Sequence, residues 1–379
     1  MTIVVGASNT WFAQTLSALA VPPTGASELA TKVAQLWEHL QYVTSDAVLT
    51  AFLQLPNFSA LSKWSPLEIL EAIDRHRKQA EVGGGAGSGA SSQDYPDLLT
   101  PEWEIFTARP APDPTDDFTL RRPGVPRPLA SFLADVVQAE RLREVRALTG
   151  FTRLDAPDPE DPDLVVRAPL SRGKPEWVPA SEVRGEGIFL RLAEPLLAKW
   201  ESQVAASPVV GEHRNAFARF RNNRYSDRIK ADFDPMYGWP GVRYIALHTL
   251  SHLLIRTIAL ECGYSSASLS ERIYAGQDRA GILIYTAVPD AEGTLGGLVS
   301  LAEPEPLTRI MDRARRDALR CSSDPLCAER LPAKPADFLH GAACHACLFV
   351  SETTCERGNR FLDRRFVVSI DPKFPALLL

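Results

Sequence analysis

The stretch with the greatest influence on the fold is residues 321–355, which read CSSDPLCAERLPAKPADFLHGAACHACLFVSETTC. Five of the chain's six cysteines fall in it, and Cys262 stands apart. In a reducing compartment, such local crowding is typical of a metal site rather than of disulfides. The alternative is a group of inert buried cysteines, which seldom occur at this density. We therefore expect a metal to stabilise this part of the chain.

The spacing inside this stretch favours a structural zinc centre. Cys344 and Cys347 form a C-x-x-C knuckle, in which two thiolates reach one tetrahedral ion and turn amides donate hydrogen bonds to the sulfurs. Cys321, Cys327 and Cys355 compete for the two remaining positions, and spacing does not decide among them. Four thiolates leave no coordination position open for water. We therefore expect four of these five cysteines to hold a structural Zn²⁺ and not a catalytic one.

Length and composition indicate a globular protein of two or three domains, because 379 residues with 45% hydrophobic side chains can fill real cores. Lysine and arginine number 41 against 47 aspartates and glutamates, which gives a formal charge of -6. No global positive field therefore draws the molecule onto DNA. Any contact with nucleic acid needs a local basic patch.

The sequence favours a cytoplasmic protein without membrane contact. No basic residue precedes Lys32, so the positively charged start of a secretory signal is missing. The most apolar long stretch runs from Val242 to Leu260, and Arg243, Arg256 and two histidines interrupt it. Charged side chains are penalised at the centre of a bilayer, so we expect a buried helix of a globular domain here.

The first part of the chain carries helical periodicity. Leu29, Val33, Leu36 and Leu40 recur at spacings of three and four, which places them on one helical face, and Pro66 to Ala80 also reads as a helix. A run of glycine and serine follows, and then a stretch rich in proline and acid. Such segments bury little surface, so we expect a flexible connector there.

The rest of the chain mixes helical and strand patterns. Apolar residues from Leu129 to Leu148 recur at helical intervals, and Gly150 is placed to end that helix. Gly187–Leu192 reads as a strand bounded by turn residues. Further on, we expect a long helix after Trp239, a buried strand at Gly281–Tyr285 and a helix at Leu301–Arg320.

These patterns together predict an α+β fold. The predicted organisation is a helical segment at 1–81, a flexible Gly/Ser- and Pro-rich linker at 82–128, a mixed α/β region at 129–235 and a zinc-binding domain at 236–379.

One basic stretch has the composition of a DNA contact. Between His213 and Lys230, arginines alternate with phenylalanine and tyrosine, so phosphates and unpaired bases would both find partners. The candidate contact residues are Arg214, Arg219, Arg221 and Arg224. The alternative is a solvated face that pairs with neighbouring acids. The predicted helix with Arg309, Arg313 and Arg316 is the second place to look.

The sequence contains no complete catalytic motif. His248 and His252 lie four apart, as in the zinc-protease motif, but Thr249 stands where that motif has its glutamate base. This favours hydrogen-bonded core or interface histidines, with a metal-dependent hydrolase that uses His248 and His252 as the alternative. The P-loop pattern G-x-x-x-x-G-K-[ST] occurs nowhere, and no acid pair of helicase type is found. We expect no ATP hydrolysis by the chain.

Several runs of sequence resemble the MrfA-type zinc-binding domain that is attached to many helicases, over about residues 236–370. These runs are YIALHTLSHLLI from residue 244, ECGY from 261, ILIY from 282, CSSDPLC from 321, GAACHAC from 341 and CERGNRFLDR from 355.

Upstream runs resemble the DrmB family, subunits of the bacterial DISARM phage-defence system. These runs are VGASNTWF from residue 5, ERLREVRALTGF from 140 and GEGIFLRL from 185. The resemblance implies a non-catalytic accessory subunit that joins a helicase-like DrmA-type partner in a DNA-binding complex. A zinc-bearing protein-interaction module without DNA binding is the other alternative. In the family the GASN motif lies well inside a longer chain, so this chain looks like the C-terminal part.

Overall fold

The computed structural model describes residues 11–23, 25–84, 97–153, 167–171, 177–225, 233–286, 296–333 and 339–378. Within these ranges the chain combines helices with an antiparallel sheet, so the expected α+β class is confirmed. The chain divides into two compact units. The smaller unit is Val21–Ile105, and the larger combines Met1–Ala20 with Phe106–Leu379.

The smaller unit consists of short helices around an apolar core. The helices are α1 (Gly25–Gln35), α2 (Trp37–Leu40), α3 (Asp46–Leu53), α4 (Pro66–Gly84) and most of α5 (Leu99–Thr107). Ser65 starts α4 with a capping box: its hydroxyl accepts from the Glu68 N–H at 3.3 Å, and the Glu68 carboxylate accepts from the Ser65 N–H at 2.8 Å. The core contains Leu29, Val33, Leu40, Leu49, Leu61, Ile69 and Ile73. The helical periodicity of this region is therefore confirmed.

In the described part of the larger unit, seven strands form one antiparallel sheet in the order β1-β3-β5-β7-β6, and β2 and β4 pair with β3. The strands are β1 (Trp11–Leu19), β2 (Thr119–Arg121), β3 (Leu133–Arg153), β4 (Arg167–Ala168), β5 (Ala180–Leu192), β6 (Leu269–Tyr274) and β7 (Gly281–Thr286). The strands predicted at Gly187–Leu192 and Gly281–Tyr285 are confirmed within β5 and β7. Among its described residues, the segment predicted as helical at 1–81 also contains a strand, β1.

The helix predicted from Leu129 to Leu148 is wrong, because these residues form most of the central strand β3. Successive residues of its first half, from Asp135 to Ala139, are all buried, so both faces of the strand are covered there. A strand buried on both faces loses the alternation of apolar and polar residues that marks a half-exposed strand. Its apolar residues then fall by chance at spacings of three and four.

The helices of the larger unit pack on this sheet and on one another. They are α6 (Glu194–Val204), α7 (Pro208–Arg224), α8 (Gly241–Cys262), α9 (Gly297–Ser300) and α10 (Pro304–Ala318). The helices predicted after Trp239 and over Leu301–Arg320 are confirmed as α8 and α10. Helix α8 is central, because it packs against α10, β6 and β7 and is buried along most of its length.

Helix α8 is also the one helix in the described ranges that is long and apolar enough to cross a bilayer. Its most apolar window is 72% buried inside the fold. Such burial is typical of the central helix of a globular domain.

The connector predicted between the helical segment and the middle region is ordered in its second part. Residues 85–96, which include most of the Gly/Ser run, lie outside the described residues. Beyond them, Phe118 is buried, and Arg122 donates to the carbonyls of Phe106 and Ala108 at 2.8 and 3.0 Å. Arg122 also pairs with the buried Asp135 at 3.2 Å. These bonds fix the proline-rich stretch to the larger unit, so its expected flexibility is not found.

The last part of the described chain has little regular structure. Between α10 and Leu378, the described residues contain turns, one short 3-10 helix at Arg364–Phe366 and one isolated bridge between Val368 and Leu378. Phe361, Leu362 and Phe366 are nevertheless fully buried. This turn-rich segment, residues 319–333 and 339–378, contains the five clustered cysteines.

Candidate metal centres

Four of the five clustered cysteines come together in the turn-rich segment. The sulfurs of Cys321, Cys327, Cys344 and Cys347 all lie within 4.8 Å of one another. The Sγ atoms of Cys321 and Cys344 are 3.4 Å apart, and Cys347 lies 3.7 Å from both Cys327 and Cys344. All four are free thiols.

These separations fit a tetrahedral zinc centre. Zinc–sulfur bonds of about 2.3 Å place neighbouring sulfurs about 3.8 Å apart, whereas a disulfide bond is only about 2 Å long. The observed distances of 3.4 to 3.7 Å agree with the first arrangement. The four thiols of this cluster therefore suit one Zn²⁺ and would complete its coordination shell.

The loop between Cys321 and Cys327 is held by a buried arginine. Arg364 donates to the Asp324 carboxylate at 2.7 Å and to the Ala318 carbonyl at 2.9 Å, and the other oxygen of Asp324 accepts from the Cys321 N–H at 2.8 Å. Arg364 is fully buried, and its positive charge favours the thiolate form of Cys327 by lowering its pKa. The end of α10, the cysteine loop and the C-terminal turn are thus joined by one side chain.

A hydrogen bond between two thiols of this cluster shifts their pKa values in opposite directions. A hydrogen bond from Cys347 lowers the pKa of the Cys327 thiol to about 6, burial opposes this shift, and Arg364 reinforces it. The same hydrogen bond and burial hold the pKa of Cys347 above its ordinary value. Cys327 is therefore the first of the pair to become a thiolate, which is the form that binds metal.

The fifth cysteine belongs to a second cluster. Cys355 lies with His248, His252 and Glu271, and their ligand atoms are all within 4.8 Å of one another. His248 Nε2 is 3.1 Å from Cys355 Sγ and 3.0 Å from Glu271 Oε1, and His252 Nε2 is 3.2 Å from the same carboxylate oxygen. All four residues are buried. Helix α8, strand β6 and the C-terminal turn thus meet at one point.

Opposite charges stabilise each other inside this second cluster. Burial alone would lower the pKa of His248, but Cys355 and Glu271 raise it to about 9. Burial would raise the pKa of Glu271, but His252 and His248 hold it well below its ordinary range.

The two histidines were predicted as hydrogen-bonded core residues, and both are buried and hydrogen-bonded. Their partners Glu271 and Cys355 were not predicted. The only sequence signal is the strand sequence LSERIY of β6, in which Glu271 and Arg272 interrupt an otherwise apolar and hydroxyl-bearing run. Charged residues inside a short buried strand need partners, and this requirement points to a polar site.

The arginines predicted to contact DNA lie on or just inside the surface of α7. Arg214 is exposed, whereas Arg221 is only 4% exposed, with its guanidinium over the rings of Phe233 and Tyr237. Arg221 therefore packs inside the fold, where its guanidinium is not accessible to a phosphate.

The other two arginines of α7 also have partners in the chain. Arg219 donates to the carbonyl of Pro332 at 2.9 Å, and the Arg224 guanidinium lies 4.2 Å from the centre of the Phe220 ring. On α10, Arg309 and Arg316 are exposed, and Arg309 and Arg313 pair with Glu261 at 3.6 and 2.6 Å. The structure therefore does not gather the four arginines of α7 into one exposed basic stripe.

Comparison with known proteins shows a similarity over the region that contains the cysteines. Residues 250–348 match the MrfA Zn-binding domain family. This range contains all four cysteines of the first cluster, and it contains His252 and Glu271 of the second. The chain thus contains a region that is similar to the MrfA Zn-binding domain family, and this region lies within the larger unit.

A more specific similarity extends over nearly all of the chain. It is 32% identical to the DISARM protein DrmB of Bacillus paralicheniformis over 393 aligned residues, which cover 97% of this chain and 64% of that protein. The resemblance to DrmB is therefore confirmed, and the chain spans less than two thirds of the length of this relative.

A crystal structure of the DUF1998 helicase MrfA bound to DNA is a distant structural neighbour. The similarity covers 57% of this chain and 22% of that chain, at 10% identity and a TM-score of 0.25. Similarity at this level is too low to bear on the fold or the function.

Proposed function

We propose that this chain is a zinc-containing, non-catalytic accessory subunit of a helicase-like, DNA-binding complex that defends bacteria against phage. The observation that carries the proposal is the 32% identity to DrmB over 97% of the chain. The partner inferred from this similarity is a helicase-like subunit of the DrmA type, and the site of action is the cytoplasm.

The zinc ion is assigned to Cys321, Cys327, Cys344 and Cys347. Their sulfur separations fit one tetrahedral ion, and four thiolates leave no position for a reacting water. The ion would therefore be structural and not catalytic. It would fix the turn-rich segment, which has few backbone hydrogen bonds of regular structure to hold it.

Burial supports an accessory role over the alternative of a hydrolase. A metal-dependent hydrolase would need an open coordination position that substrate and water can reach. His248, His252, Glu271 and Cys355 lie in the interior, where a substrate has no direct access. Their four ligand atoms would also fill the coordination shell of a metal.

We assign the DNA contact of this chain to its exposed arginines. Of the residues predicted from the sequence, Arg214 is the most accessible, while Arg219, Arg221 and Arg224 have partners within the chain. Arg309 and Arg316 on α10 lie seven residues apart and therefore share one helical face. We infer that these exposed residues add phosphate contacts once the partner holds the chain on DNA.

Co-purification tests the assignment of the partner. The chain is expressed from its native gene neighbourhood with an affinity tag, and the captured proteins are identified by mass spectrometry. A stoichiometric helicase-like protein in the captured complex is the expected result. Capture of the chain alone, under conditions where the neighbouring proteins are soluble, would overturn the proposal.

Titration of DNA binding at several salt concentrations tests the contact itself. Replacing Arg309 and Arg316 together by alanine should weaken binding by the complex across DNA sequences and flatten the salt slope by roughly one unit for each phosphate that is no longer neutralised. The matched control replaces Arg141 and Arg184, two exposed arginines on the sheet, and removes the same charge. Equal effects of both pairs would show that only net charge matters. No effect of either pair would favour a protein-interaction module without DNA binding.

A further inference from the structure

The second cluster contains the ligand types of a metal centre that is separate from the four cysteines. It has two imidazoles, one carboxylate and one thiol, all of which zinc accepts in proteins. Three separate elements supply them: α8 gives both histidines, β6 gives Glu271, and the C-terminal turn, far along the chain from the other two, gives Cys355. Such convergence requires the finished fold.

The histidines are arranged to face one point. They lie four residues apart, so they share one side of α8 one turn apart. Both direct Nε2 to Glu271 Oε1, at 3.0 and 3.2 Å. Ligand bonds of about 2.0 to 2.3 Å would separate neighbouring ligand atoms by about 3.3 to 3.8 Å, so a small outward movement of the side chains would admit an ion.

Hydrogen bonds alone do not satisfy this cluster. His248 Nε2 lies near both Cys355 Sγ and Glu271 Oε1 but carries at most one proton to share between them. The other carboxylate oxygen of Glu271 is buried and has no hydrogen-bond partner in the described part of the chain. Buried polar atoms without partners are costly, and a divalent cation would satisfy the carboxylate, both imidazoles and the thiolate together.

Hydrogen bonds with the surroundings hold two of the four ligands, His252 and Cys355, in the orientation that a metal needs. His252 Nδ1 donates to the Leu348 carbonyl at 3.0 Å, which leaves the Nε2 lone pair free to face the cluster. The backbone N–H groups of Asn359 and Arg357 point at Cys355 Sγ, at 3.1 and 3.4 Å. Amide hydrogen bonds of this kind stabilise a thiolate.

From this geometry we propose that His248, His252, Glu271 and Cys355 form a second zinc centre, closed and structural. It goes beyond the function proposed above, because it assigns a second metal ion whatever the partner of the chain is. The centre would fasten α8 and β6 to the C-terminal turn. It would also be coupled to the first centre, because Leu348, which accepts from His252, follows Cys347 directly.

Metal content of the full chain, purified fresh under reducing conditions, tests the proposal. Elemental analysis should find two zinc ions per chain. X-ray absorption at the zinc edge should report a mixed shell with five sulfur and three nitrogen or oxygen ligands for every two ions. One zinc with a shell of sulfur alone would overturn the second centre and leave the first intact. One zinc with a mixed shell would retain the second centre and remove the first.

The variant Glu271→Gln separates the two centres. Glutamine keeps the size of the side chain but is a much poorer ligand, so zinc should fall from two ions to one and the remaining shell should become entirely sulfur. The matched control is Glu182→Gln, an exposed glutamate on β5, which should keep both ions. A folded Glu271→Gln variant that keeps two ions would overturn the proposal. Should that variant not fold, the composition of the wild-type shell still decides.

Discussion

The smaller unit and the turn-rich segment of the larger unit are stabilised in different ways. In the smaller unit, helices satisfy their own backbone hydrogen bonds, and the side chains between them form a core of leucine, isoleucine, valine and phenylalanine. In the turn-rich segment, many backbone N–H and C=O groups have no partner in a helix or a strand. Buried charged side chains form hydrogen bonds with some of these groups instead. An apolar core is enough only where the backbone supplies its own partners.

Asp363 and Asn359 show how the turn-rich segment is held. Asp363 accepts from Arg365 Nε at 2.9 Å and lies 2.9 Å from His213 Nε2. Burial opposes ionisation of Asp363, but His213 and Arg365 lower its pKa to about 2. Nearby, the Asn359 side chain exchanges two hydrogen bonds of 3.0 Å with the backbone of Val350, as a neighbouring strand would. Side chains here take the place of secondary structure.

Removal of zinc should produce the largest difference in stability between the two regions. A chelator should abolish the hydrogen-exchange protection of residues 339–378, because structural zinc contributes about 10–16 kcal/mol to the folding of small zinc domains. Protection of residues 25–84 should not change. Chelator saturated with zinc beforehand is the control. An equal fall in protection in both regions would contradict the comparison.

Asp363→Ala should have the next largest effect. It leaves Arg365 and His213 buried without their shared partner, at a cost of about 3–5 kcal/mol in the free energy of unfolding of the larger unit. Chemical denaturation followed by hydrogen exchange measures this cost. Asp312→Ala, which removes an exposed carboxylate from α10, is the control and should have little effect. A variant as stable as the wild type would show that the buried ion pair is dispensable.

Leu49→Ala should act on the smaller unit alone. Leu49 is fully buried in the helical core, and its truncation should lower the free energy of unfolding of this unit by about 2–5 kcal/mol. Zinc content should remain that of the wild type, as measured by elemental analysis. Leu67→Ala on α4 is the control, since Leu67 is 67% exposed. A fall in zinc content in Leu49→Ala would mean that the two units fold as one.

Ser65→Ala should have the smallest effect of the series. It removes the hydroxyl of the capping box at the start of α4 and should cost about 1 kcal/mol. The exchange rates of the first turn of α4 should rise, and those of residues 339–378 should not. Ser62→Ala is the control, because the Ser62 hydroxyl only donates to the Ser59 carbonyl. Unchanged exchange in α4 would show that the capping box contributes nothing measurable.

Local patterns in the sequence were sufficient for several elements. Helix α10 has an apolar face of Leu307, Ile310 and Met311 opposite its arginines, and this amphipathic pattern needs no tertiary context. Strand β7 is a short apolar run bounded by glycine. The knuckle of Cys344 and Cys347 is visible from spacing alone, because its two ligands are neighbours in the chain.

Strand β3 and the burial of Arg221 could not be predicted, because both depend on the tertiary surroundings of the residues, which local sequence patterns do not show. The first half of strand β3 has no regular alternation because both of its faces are covered, and its pattern predicts a helix instead. Arg221 has the composition of a phosphate contact but lies under aromatic rings. A basic side chain has the same sequence signature whether it points to solvent or into the core.

The sequence by itself determined the α+β class and the crowding of cysteines that suits a metal, because these depend on composition and short-range spacing. It also carried the resemblance to DrmB, which rests on particular runs of residues. Only the tertiary structure decided how the ligands divide. It placed Cys321 and Cys327 with the knuckle and Cys355 with His248, because α8 and β6 meet the C-terminal turn in space. Coordination requires ligand atoms within a few ångströms of one point, and chain folding sets those distances independently of separation along the sequence.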